Sequence, residues 1–286
     1  MSESYFERFR RMMDAMEFET LPLFSKPYFQ WHLKTDYAGR RFMYRPSTES
    51  TMEDARRMLE RWRVGHGAVV LAETQTAGRG RDGRSWISPP DVNLHFTLMI
   101  VPPPKGLRPL PFVTPLAMAL AVEEVAIKHN ARVRVDLKWP NDLLIGDKKL
   151  GGVLIETGTN AEGETVALIG VGVNVNIDVA AYPEIAKIAV SVKDALGFEV
   201  PRELILASFC NHFEALYEDA IAGDDVPFYS WKDRLVTLGR QVTATGGGVV
   251  VRGRAVDVAE DGALLIQQPN GKKVRVDAGD VTLSAR

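Results

Sequence analysis

The chain has 286 residues, of which 45% are hydrophobic and 25% are charged, and its formal net charge is -2. This composition is that of a globular protein with room for one large and one small domain. It argues against a general nucleic-acid-binding protein, because binding to phosphate backbones requires a strong basic excess. The single cysteine, Cys210, excludes an intrachain disulfide and a zinc cluster built on cysteines, and its apolar neighbours predict a buried structural thiol.

Residues 1–45 differ in character from the rest of the chain. Phe6, Met12, Met16 and Phe18 allow a short amphipathic helix, and an aromatic- and proline-rich stretch follows it. We predict an accessory extension that packs on the main domain or on a partner. The chain begins without an apolar signal segment and shows no apolar run of roughly 18 residues, so we expect no membrane span and a cytoplasmic location.

A strand near Tyr44 leads to a helix that begins around Ser50 and Thr51. Ser50 and Glu53 have the spacing of a capping box, in which a hydroxyl and a carboxylate satisfy free backbone N–H groups. The two hydroxyls either serve only as a helix cap or also face a polar ligand. The next stretch, residues 68–72, is a short apolar run typical of a buried strand.

The glycine-arginine loop (residues 73–86, ETQTAGRGRDGRSW) follows this strand directly. Its glycines allow close approach of the backbone to a ligand, and its arginines offer forks of donors for phosphate or carboxylate. The glycine spacing matches the G-x-G-x-x-G motif of dinucleotide-binding proteins, and residues 78–85 nearly match the P-loop pattern. Both motifs require a helix directly after the glycines. A proline pair and an alternating apolar run predict a strand there instead. We therefore interpret the loop as an anion-binding loop, with a solvated basic hairpin as the alternative.

Two lysines stand out beyond the strand at residues 93–101 and an apolar helix at residues 111–130. Lys138 ends a strand beside Trp139, where a largely enclosed ammonium group needs an anion. Lys149 lies at the entry to a strand that we take to be adjacent. Surface lysines beside a hairpin are the alternative interpretation.

Residues 165–178 predict one long strand that contains Gly170 and Gly172. A glycine inside a strand indicates a bulge or a ligand lying against the backbone. Asn174 and Asn176 would share one face of this strand. Each is interpreted either as recognising an adenine edge or an amide, or as a hydrogen-bonded structural residue.

The rest of the chain predicts one long helix and then a small β domain. Residues 201–222 predict a helix with one apolar face. Beyond a boundary near residue 235, short strands alternate with hairpin turns such as Asp261-Gly262 and Asn270-Gly271. This pattern predicts a small all-β barrel.

The chain resembles the biotin protein ligases in several segments that occur in the family's order: EST at 49–51, the glycine-arginine loop, KWPNDLLI at 138–145, KKLGGVLIE at 148–156 and GVGVNV at 170–175. The resemblance implies an α+β fold. Its catalytic domain would hold a mixed, mainly antiparallel sheet with helices on one face, as in class II synthetases, and a small SH3-like β-barrel would follow. The implied divisions are an N-terminal extension at 1–45, a biotin- and ATP-binding catalytic domain at 46–235 and the barrel at 236–286.

Members of this family join biotin to ATP as biotinyl-5′-AMP and pass biotin to a lysine of an acceptor protein. The resemblance therefore implies biotin as substrate, ATP and Mg²⁺ as co-substrate and ion, and no tightly bound cofactor. It implies a biotin carboxyl carrier protein or domain as partner and leaves a homodimer open. Catalysis should consist mainly of positioning and electrostatic stabilisation, without a covalent nucleophile on the enzyme.

The resemblance also assigns residues. The catalytic cations would be Lys149, Arg81 and Lys138. The biotin site would comprise Ser50, Thr51, Met52, Gln75, Gly78, Arg79, Gly80, Arg81, Lys149 and Gly152. The site for ATP and the adenylate would comprise Arg81, Arg84, Trp86, Lys138, Asn141 and Asn174. Asp142 would organise Mg²⁺, and the glycine-arginine loop would be an unpaired, mobile lid that folds over the adenylate.

Two departures and two alternatives accompany this assignment. Met52 stands where the family usually has asparagine, so any hydrogen bond from that side chain is lost. The winged-helix domain of repressor-type members has no counterpart in this sequence, which implies a ligase that does not bind operator DNA. The alternatives are a lipoate or octanoate ligase or transferase of the same fold, and a non-catalytic biotin-binding regulator.

Overall fold

A computed structural model describes residues 24–61, 65–246, 249–277 and 279–283. The amphipathic helix predicted around Phe6 to Phe18 lies outside the described residues. The helices are α1 (Lys26–His32), α2 (Thr51–Arg61), α3 (Leu110–Lys128), α4 (Val192–Leu196), α5 (Arg202–Ala222) and α6 (Val226–Lys232). The strands are β1 (Phe42–Thr48), β2 (Val69–Gln75), β3 (Leu94–Ile100), β4 (Asp136–Lys138), β5 (Asp142–Ile145), β6 (Lys148–Thr159), β7 (Thr165–Val173), β8 (Gln241–Gly246), β9 (Val249–Val258), β10 (Leu264–Gln267), β11 (Lys273–Val276) and β12 (Asp280–Leu283).

Two sheets carry the described part of the chain. The larger has seven strands in the order β1-β2-β3-β7-β6-β5-β4, and the smaller has five in the order β11-β10-β9-β8-β12. In the larger sheet β1 and β2 are parallel, and the other neighbouring strands are antiparallel. The prediction of a mixed, mainly antiparallel sheet followed by a small β domain is confirmed.

The two faces of the large sheet carry different helices. Phe96 and Leu98 of β3 belong to the main core with α3 and α5, the face on which helices were predicted. Met99, which points the other way along the same strand, packs in a second cluster with Ala55 and Leu59 of α2. The prediction is thus corrected for α2, which covers the opposite face and brings its first residues over the sheet. Full burial of a leucine such as Leu59 contributes about 1.5–3 kcal/mol.

Helix α3 corrects the expectation that no apolar run matches a membrane span. Its 19 residues, Leu110–Lys128, have a mean hydropathy of 1.6, and 72% of the apolar window is buried inside the protein. The helix packs against α5 and the sheet. Its place in the core therefore accounts for its apolar character.

Cys210 lies on α5 in the middle of this core. The thiol is buried and free, and burial raises its pKa well above the usual range. The prediction of a structural thiol rather than a nucleophile is confirmed.

The N-terminal strap (residues 24–41, including α1) lies along α5. Ser25 N–H donates to Glu203 Oε1 at 2.5 Å. The Glu214 carboxylate accepts the three successive backbone N–H groups of residues 36–38, at 2.5, 3.0 and 2.8 Å. Phe29 is fully buried, with its ring centroid 4.9 Å from that of Phe42. These contacts agree with the prediction of an extension that packs on the main domain.

The small β domain joins the large sheet at Trp139. The Trp139 indole Nε1–H donates to the carbonyl of Gly262 at 2.8 Å, and its backbone N–H donates to Thr237 Oγ1 at 2.9 Å. Gly262 and Gly271 both adopt positive φ, at 86° and 82°, as the predicted hairpin turns require. The division of the chain at residue 235 stays a prediction.

The Glu214 contacts generate the first test. We expect Glu214→Gln to lower the free energy of unfolding by about 1–3 kcal/mol, because the amide loses the charge that assists these hydrogen bonds. Chemical denaturation monitored by circular dichroism measures this change. Glu218→Gln is the matched control, since Glu218 accepts one exposed bond from the Tyr37 hydroxyl. Equal stability of the Glu214 variant and the wild type would contradict the strap's role in stability.

Candidate functional site

The candidate site is a cavity of about 640 Å³ on the face of the large sheet that carries α2. Its walls come from the start of α2, the glycine-arginine loop, strands β4 to β7, residues 184–189 and strand β12. The following residues assigned from the sequence line it: Ser50, Thr51, Met52, Gln75, Arg79, Gly80, Arg81, Arg84, Trp86, Lys138, Asn141, Asp142, Lys149, Gly152 and Asn174. Gly78 is the exception, because it is buried in the stem of the loop.

A cluster of hydroxyl and amide groups forms one part of the wall. Thr51 donates to Gln75 Oε1 twice, from its backbone N at 2.9 Å and from its hydroxyl at 3.2 Å. Thr97 of β3 donates to the Thr51 hydroxyl at 2.9 Å. Ser50 and Thr51 are both buried. The bonds leave the Gln75 amide nitrogen as a donor for a further partner.

Sequence reasoning missed Thr97, although one signal was present. Thr97 and His95 are the polar members of the alternating run in β3. Polar side chains at two successive positions on one face of a buried strand need partners, and the partner of Thr97 is Thr51 at the site.

Two lysines share one carboxylate at another part of the wall. Lys149 Nζ lies 2.6 Å from Asp142 Oδ1, and Lys138 Nζ lies 3.9 Å from Asp142 Oδ2. All three side chains are half-buried. The two lysines are not on adjacent strands as expected, because β5 lies between β4 and β6 and supplies Asp142. The group carries one net positive charge, which suits an anionic ligand.

Asn141 has a structural role beside these lysines. Its side-chain amide donates to the carbonyl of Val153 at 2.5 Å, and the Val153 N–H donates back to the Asn141 carbonyl at 3.0 Å. Asn141 thereby ties the turn before β5 to β6. This contact fixes the position of the neighbouring Asp142, the first residue of β5.

The glycine-arginine loop is a paired hairpin. Trp86 N–H donates to the Gly78 carbonyl at 3.0 Å, and Gly80 N–H donates to the Arg84 carbonyl at 2.7 Å. Its tip is one 3₁₀ turn, Arg81–Gly83, with Gly83 at a φ of 72°. The expectation of an unpaired loop is wrong, whereas the rejection of a dinucleotide-binding motif and a P-loop is confirmed, because β3 follows without a helix.

The three arginines of the loop point to different partners. Arg79 pairs with Glu53 of α2 at 2.5 Å, and Arg84 pairs with Asp280 of β12. Arg81 has no ion pair with any residue that the structure describes. Arg81 is therefore the arginine of the loop whose charge is available to a ligand.

Gly170 and Gly172 make room for protein side chains. A Cβ at residue 170 would lie 2.8 Å from Met52 Sδ, and one at residue 172 would lie 2.8 Å from the Trp86 ring. Both glycines also line the cavity, so the interpretation that a ligand lies against this backbone stays a prediction. Met52 packs on β7, and the Trp86 indole lies on Gly172 with its Nε1 buried and without a hydrogen-bond partner among the described residues.

The two asparagines lie beyond β7, which ends at Val173 rather than at residue 178. Asn176 exchanges two hydrogen bonds with the backbone of Val200, at 2.9 and 3.0 Å, and is structural. Asn174 is buried, lines the cavity and donates to the Val190 carbonyl at 3.3 Å. Only Asn174 is therefore placed to contact a ligand.

Two parts of the cavity wall were not predicted from the sequence. Glu184, Ile185 and Ile188 line the cavity from a segment without regular periodicity, and Asp280 to Thr282 line it from the small β domain. The sequence carries no signal for either. Their position depends on how distant segments pack.

The described residues do not form a metal site of their own. No group of three or more His, Cys, Asp or Glu side chains is gathered anywhere in them. Asp142 is the one carboxylate among the assigned residues, and two ammonium groups already neutralise it. A resident metal does not fit this arrangement, and the Mg²⁺ prediction concerns only an ion that arrives with phosphates, which needs one or two protein carboxylates.

Comparison with known proteins gives consistent matches. The model of the biotin/lipoate A/B protein ligase family matches residues 44–176, and that of the biotin protein ligase C-terminal domain matches residues 237–284. The chain is 30% identical over 261 residues to the bifunctional ligase/repressor BirA of Bacillus subtilis (strain 168), covering 91% of this chain and 79% of that protein. It is 31% identical over 212 residues to the biotin–[acetyl-CoA-carboxylase] ligase of Paracoccus denitrificans, covering 72% and 87%.

A solved structure extends the match to the fold. The biotin protein ligase of Aquifex aeolicus in complex with biotin and ATP superposes with a TM-score of 0.69 at 27% identity. The superposition covers 86% of this chain and 100% of that chain.

The packing of Trp86 on Gly172 generates a second test. We expect Gly172→Ala to displace the indole, because a rigid ring cannot yield to a Cβ at 2.8 Å. The near-ultraviolet circular dichroism spectrum should change, and the change should vanish in a Trp86→Phe background. Gly170→Ala is the control, because the flexible Met52 side chain can move aside. An unaltered spectrum for Gly172→Ala would contradict the packing.

Proposed function

The chain belongs to the biotin protein ligases of the biotin/lipoate ligase family, and on this premise we propose that it activates biotin with ATP and attaches it to a protein. Biotin and ATP would form biotinyl-5′-AMP, and a lysine of a biotin carboxyl carrier domain would accept the biotinyl group. One observation carries the proposal: a hydroxyl-amide cluster and a cationic cluster line the same cavity.

The hydroxyl-amide cluster suits the ureido ring of biotin, which offers one carbonyl acceptor and two N–H donors. Gln75 Oε1 is occupied by Thr51, so the Gln75 amide nitrogen is left to donate. The Ser50 hydroxyl can donate or accept, whereas the Thr51 hydroxyl, whose proton goes to Gln75, can only accept. Because Ser50 and Thr51 are buried and Gln75 is half-buried, a ring that left their remaining donors and acceptors unpaired would bind much more weakly.

The cationic cluster suits the first chemical step. An oxygen of the biotin carboxylate attacks the α-phosphorus of ATP, a phosphorus–oxygen bond forms, and the bond to the departing pyrophosphate breaks. Lys149 would hold the carboxylate and then the phosphate oxygens, while Arg81 and Lys138 balance the charge that gathers around phosphorus. The carboxylate would compete with Asp142 for Lys149, since both are anions at one ammonium group.

The second step needs no covalent group from the enzyme. The amine of the acceptor lysine attacks the carbonyl carbon of biotinyl-5′-AMP, a carbon–nitrogen bond forms, and AMP leaves with the oxygen that joined it to the acyl group. The glycine-arginine loop would exclude water from the mixed anhydride until the acceptor arrives. Trp86 and Asn174 would contact the adenine.

A lipoate ligase of the same fold is the competing activity. Lipoate presents an apolar ring and chain, which would offer no hydrogen-bond partner to the Gln75 amide nitrogen or to the buried Ser50 hydroxyl. The cluster therefore favours biotin. We expect biotin to displace lipoate from the protein, and a tenfold preference for lipoate in competition binding would exclude the proposed substrate.

The direct test is incubation of the protein with biotin, Mg-ATP and a biotin carboxyl carrier domain, followed by mass spectrometry of the acceptor. We expect the mass to increase by one biotinyl group only when ATP is present. A carrier with arginine in place of its acceptor lysine is the control. An acceptor of unchanged mass would contradict the activity.

Lys149 provides the next prediction. Lys149→Ala should lower the rate of adenylate formation by about 100-fold or more, as expected for the loss of a charge contact that is strongest in the transition state. Quenched single-turnover assays with labelled ATP measure this rate. Lys148→Ala is the matched control, because Lys148 is the exposed neighbour and does not line the cavity. A Lys149 variant within threefold of wild type would remove this residue from the mechanism.

Arg81 should act on the phosphate rather than on the ring. We expect Arg81→Ala to speed the release of biotinyl-5′-AMP about tenfold, a loss of about 1.4 kcal/mol, and to leave the dissociation constant for biotin nearly unchanged. Filter binding of labelled intermediate and calorimetric titration with biotin separate the two effects. Equal losses in both would assign Arg81 to general loop stability instead.

A further inference from the structure

The two ends of the glycine-arginine loop meet at one hydroxyl group. The backbone N–H of Gln75, where β2 ends, donates to Ser88 Oγ at 3.0 Å. Ser88 lies two residues beyond Trp86, so this bond closes the base of the loop across 13 residues of sequence. The bonds from Trp86 to Gly78 and from Gly80 to Arg84 lie above it, toward the tip.

The same hydroxyl group is anchored in the sheet. Ser88 Oγ and His95 Nδ1 are 3.0 Å apart and share a hydrogen bond. His95 belongs to β3, where it pairs with Ala72 of β2 and Gly172 of β7, and it is almost fully buried. Burial, together with the charge of Arg202, lowers the pKa of His95 to about 4, so the imidazole is neutral near pH 7. A neutral imidazole held in a fixed position can accept a hydrogen bond from the Ser88 hydroxyl and so fix its position.

The residue that Ser88 holds is itself part of the site. Gln75 Oε1 accepts both hydrogen bonds from Thr51. Ser88 therefore fixes at once the loop that carries Arg81 and the strand end that carries Gln75. The side chain is half-buried and does not line the cavity, so it acts through other residues.

We infer that Ser88 is a positioning residue for the adenylate, which clamps the base of the glycine-arginine loop to Gln75 and to His95. The inference rests on the proposed function, because it assumes that the loop retains an adenylate. The hydrogen bond from Gln75 to Ser88 is made only while the loop base is closed. Loss of the hydroxyl group therefore shifts the loop toward open forms, from which the intermediate escapes.

The test measures release of the intermediate and binding of biotin on the same variants. Enzyme loaded with labelled biotinyl-5′-AMP is chased with unlabelled intermediate, and biotin affinity is measured by calorimetry. We expect Ser88→Ala to release the adenylate about five- to tenfold faster, the factor for one lost hydrogen bond of about 1 kcal/mol. The dissociation constant for biotin should change less than threefold, because the two hydrogen bonds from Thr51 still hold the Gln75 side chain. Ser88→Thr, which keeps the hydroxyl group, should restore slow release.

A control separates clamping from general stability. Ser208→Ala removes a hydroxyl group that donates to Glu124 on the far side of the sheet, and it should leave release unchanged. If Ser88→Ala does not fold, Ser88→Cys replaces it under the same criteria, because the thiol keeps the size and weakens both bonds. A release rate within twofold of wild type in the folded variant, or a Ser88→Thr variant as leaky as the alanine, would overturn the inference. Failure of the wild type to form any adenylate would instead refute the proposed function.

Discussion

The buried ion pair between Glu73 and Arg202 is the interaction on which the rest of the structure depends. Both side chains are about 2–3% exposed, and Arg202 donates to both Glu73 oxygens, at 2.5 and 3.2 Å, and to the carbonyl of Asn93 at 3.0 Å. The Phe24 N–H donates to Glu73 Oε1 at 3.1 Å. This ion pair thus joins β2, the residue before β3, α5 and the N-terminal strap. Removing either charge would leave the other buried and unpaired, which typically costs about 3–5 kcal/mol. Because Glu73 lies two residues before Gln75 on β2, the ion pair also fixes the position of Gln75 at the cavity.

The arrangement of the cavity depends on this ion pair and on a second constraint. Several cations must be held close together before an anion binds. Like charges repel, so most of the cationic side chains at the cavity have a carboxylate beside them. Asp142 forms ion pairs with Lys138 and Lys149, Glu53 pairs with Arg79, and Asp280 pairs with Arg84. A bound phosphate or carboxylate would compete for these cations, exchanging one anionic partner for another. Such pre-arranged charges do not have to reorganise during a reaction, which is the main source of electrostatic catalysis.

The sequence predicted the parts of this arrangement that are local. The alternation in β3 and the hairpin turns of the small domain depend on neighbours in the chain, and the fold bears them out. The sequence did not reveal that Met52 and Trp86 pack on the glycines of β7, because these two side chains come from distant segments. Asp280 and the Ser88–His95 contact likewise carry no sequence signal. Residue types are thus visible in the sequence, whereas their tertiary partners are not.

In the proposed reaction this cavity forms an acyl-adenylate by positioning charges around phosphate, without a covalent enzyme intermediate. Exchange of labelled pyrophosphate into ATP tests it most directly, since reversal of adenylate formation is needed to incorporate the label. With the purified protein, ATP and Mg²⁺, we expect exchange that depends on biotin, that lipoate does not support, and that Lys149→Ala abolishes. Exchange that proceeds without biotin, or none with biotin in a protein that binds it, would contradict the account.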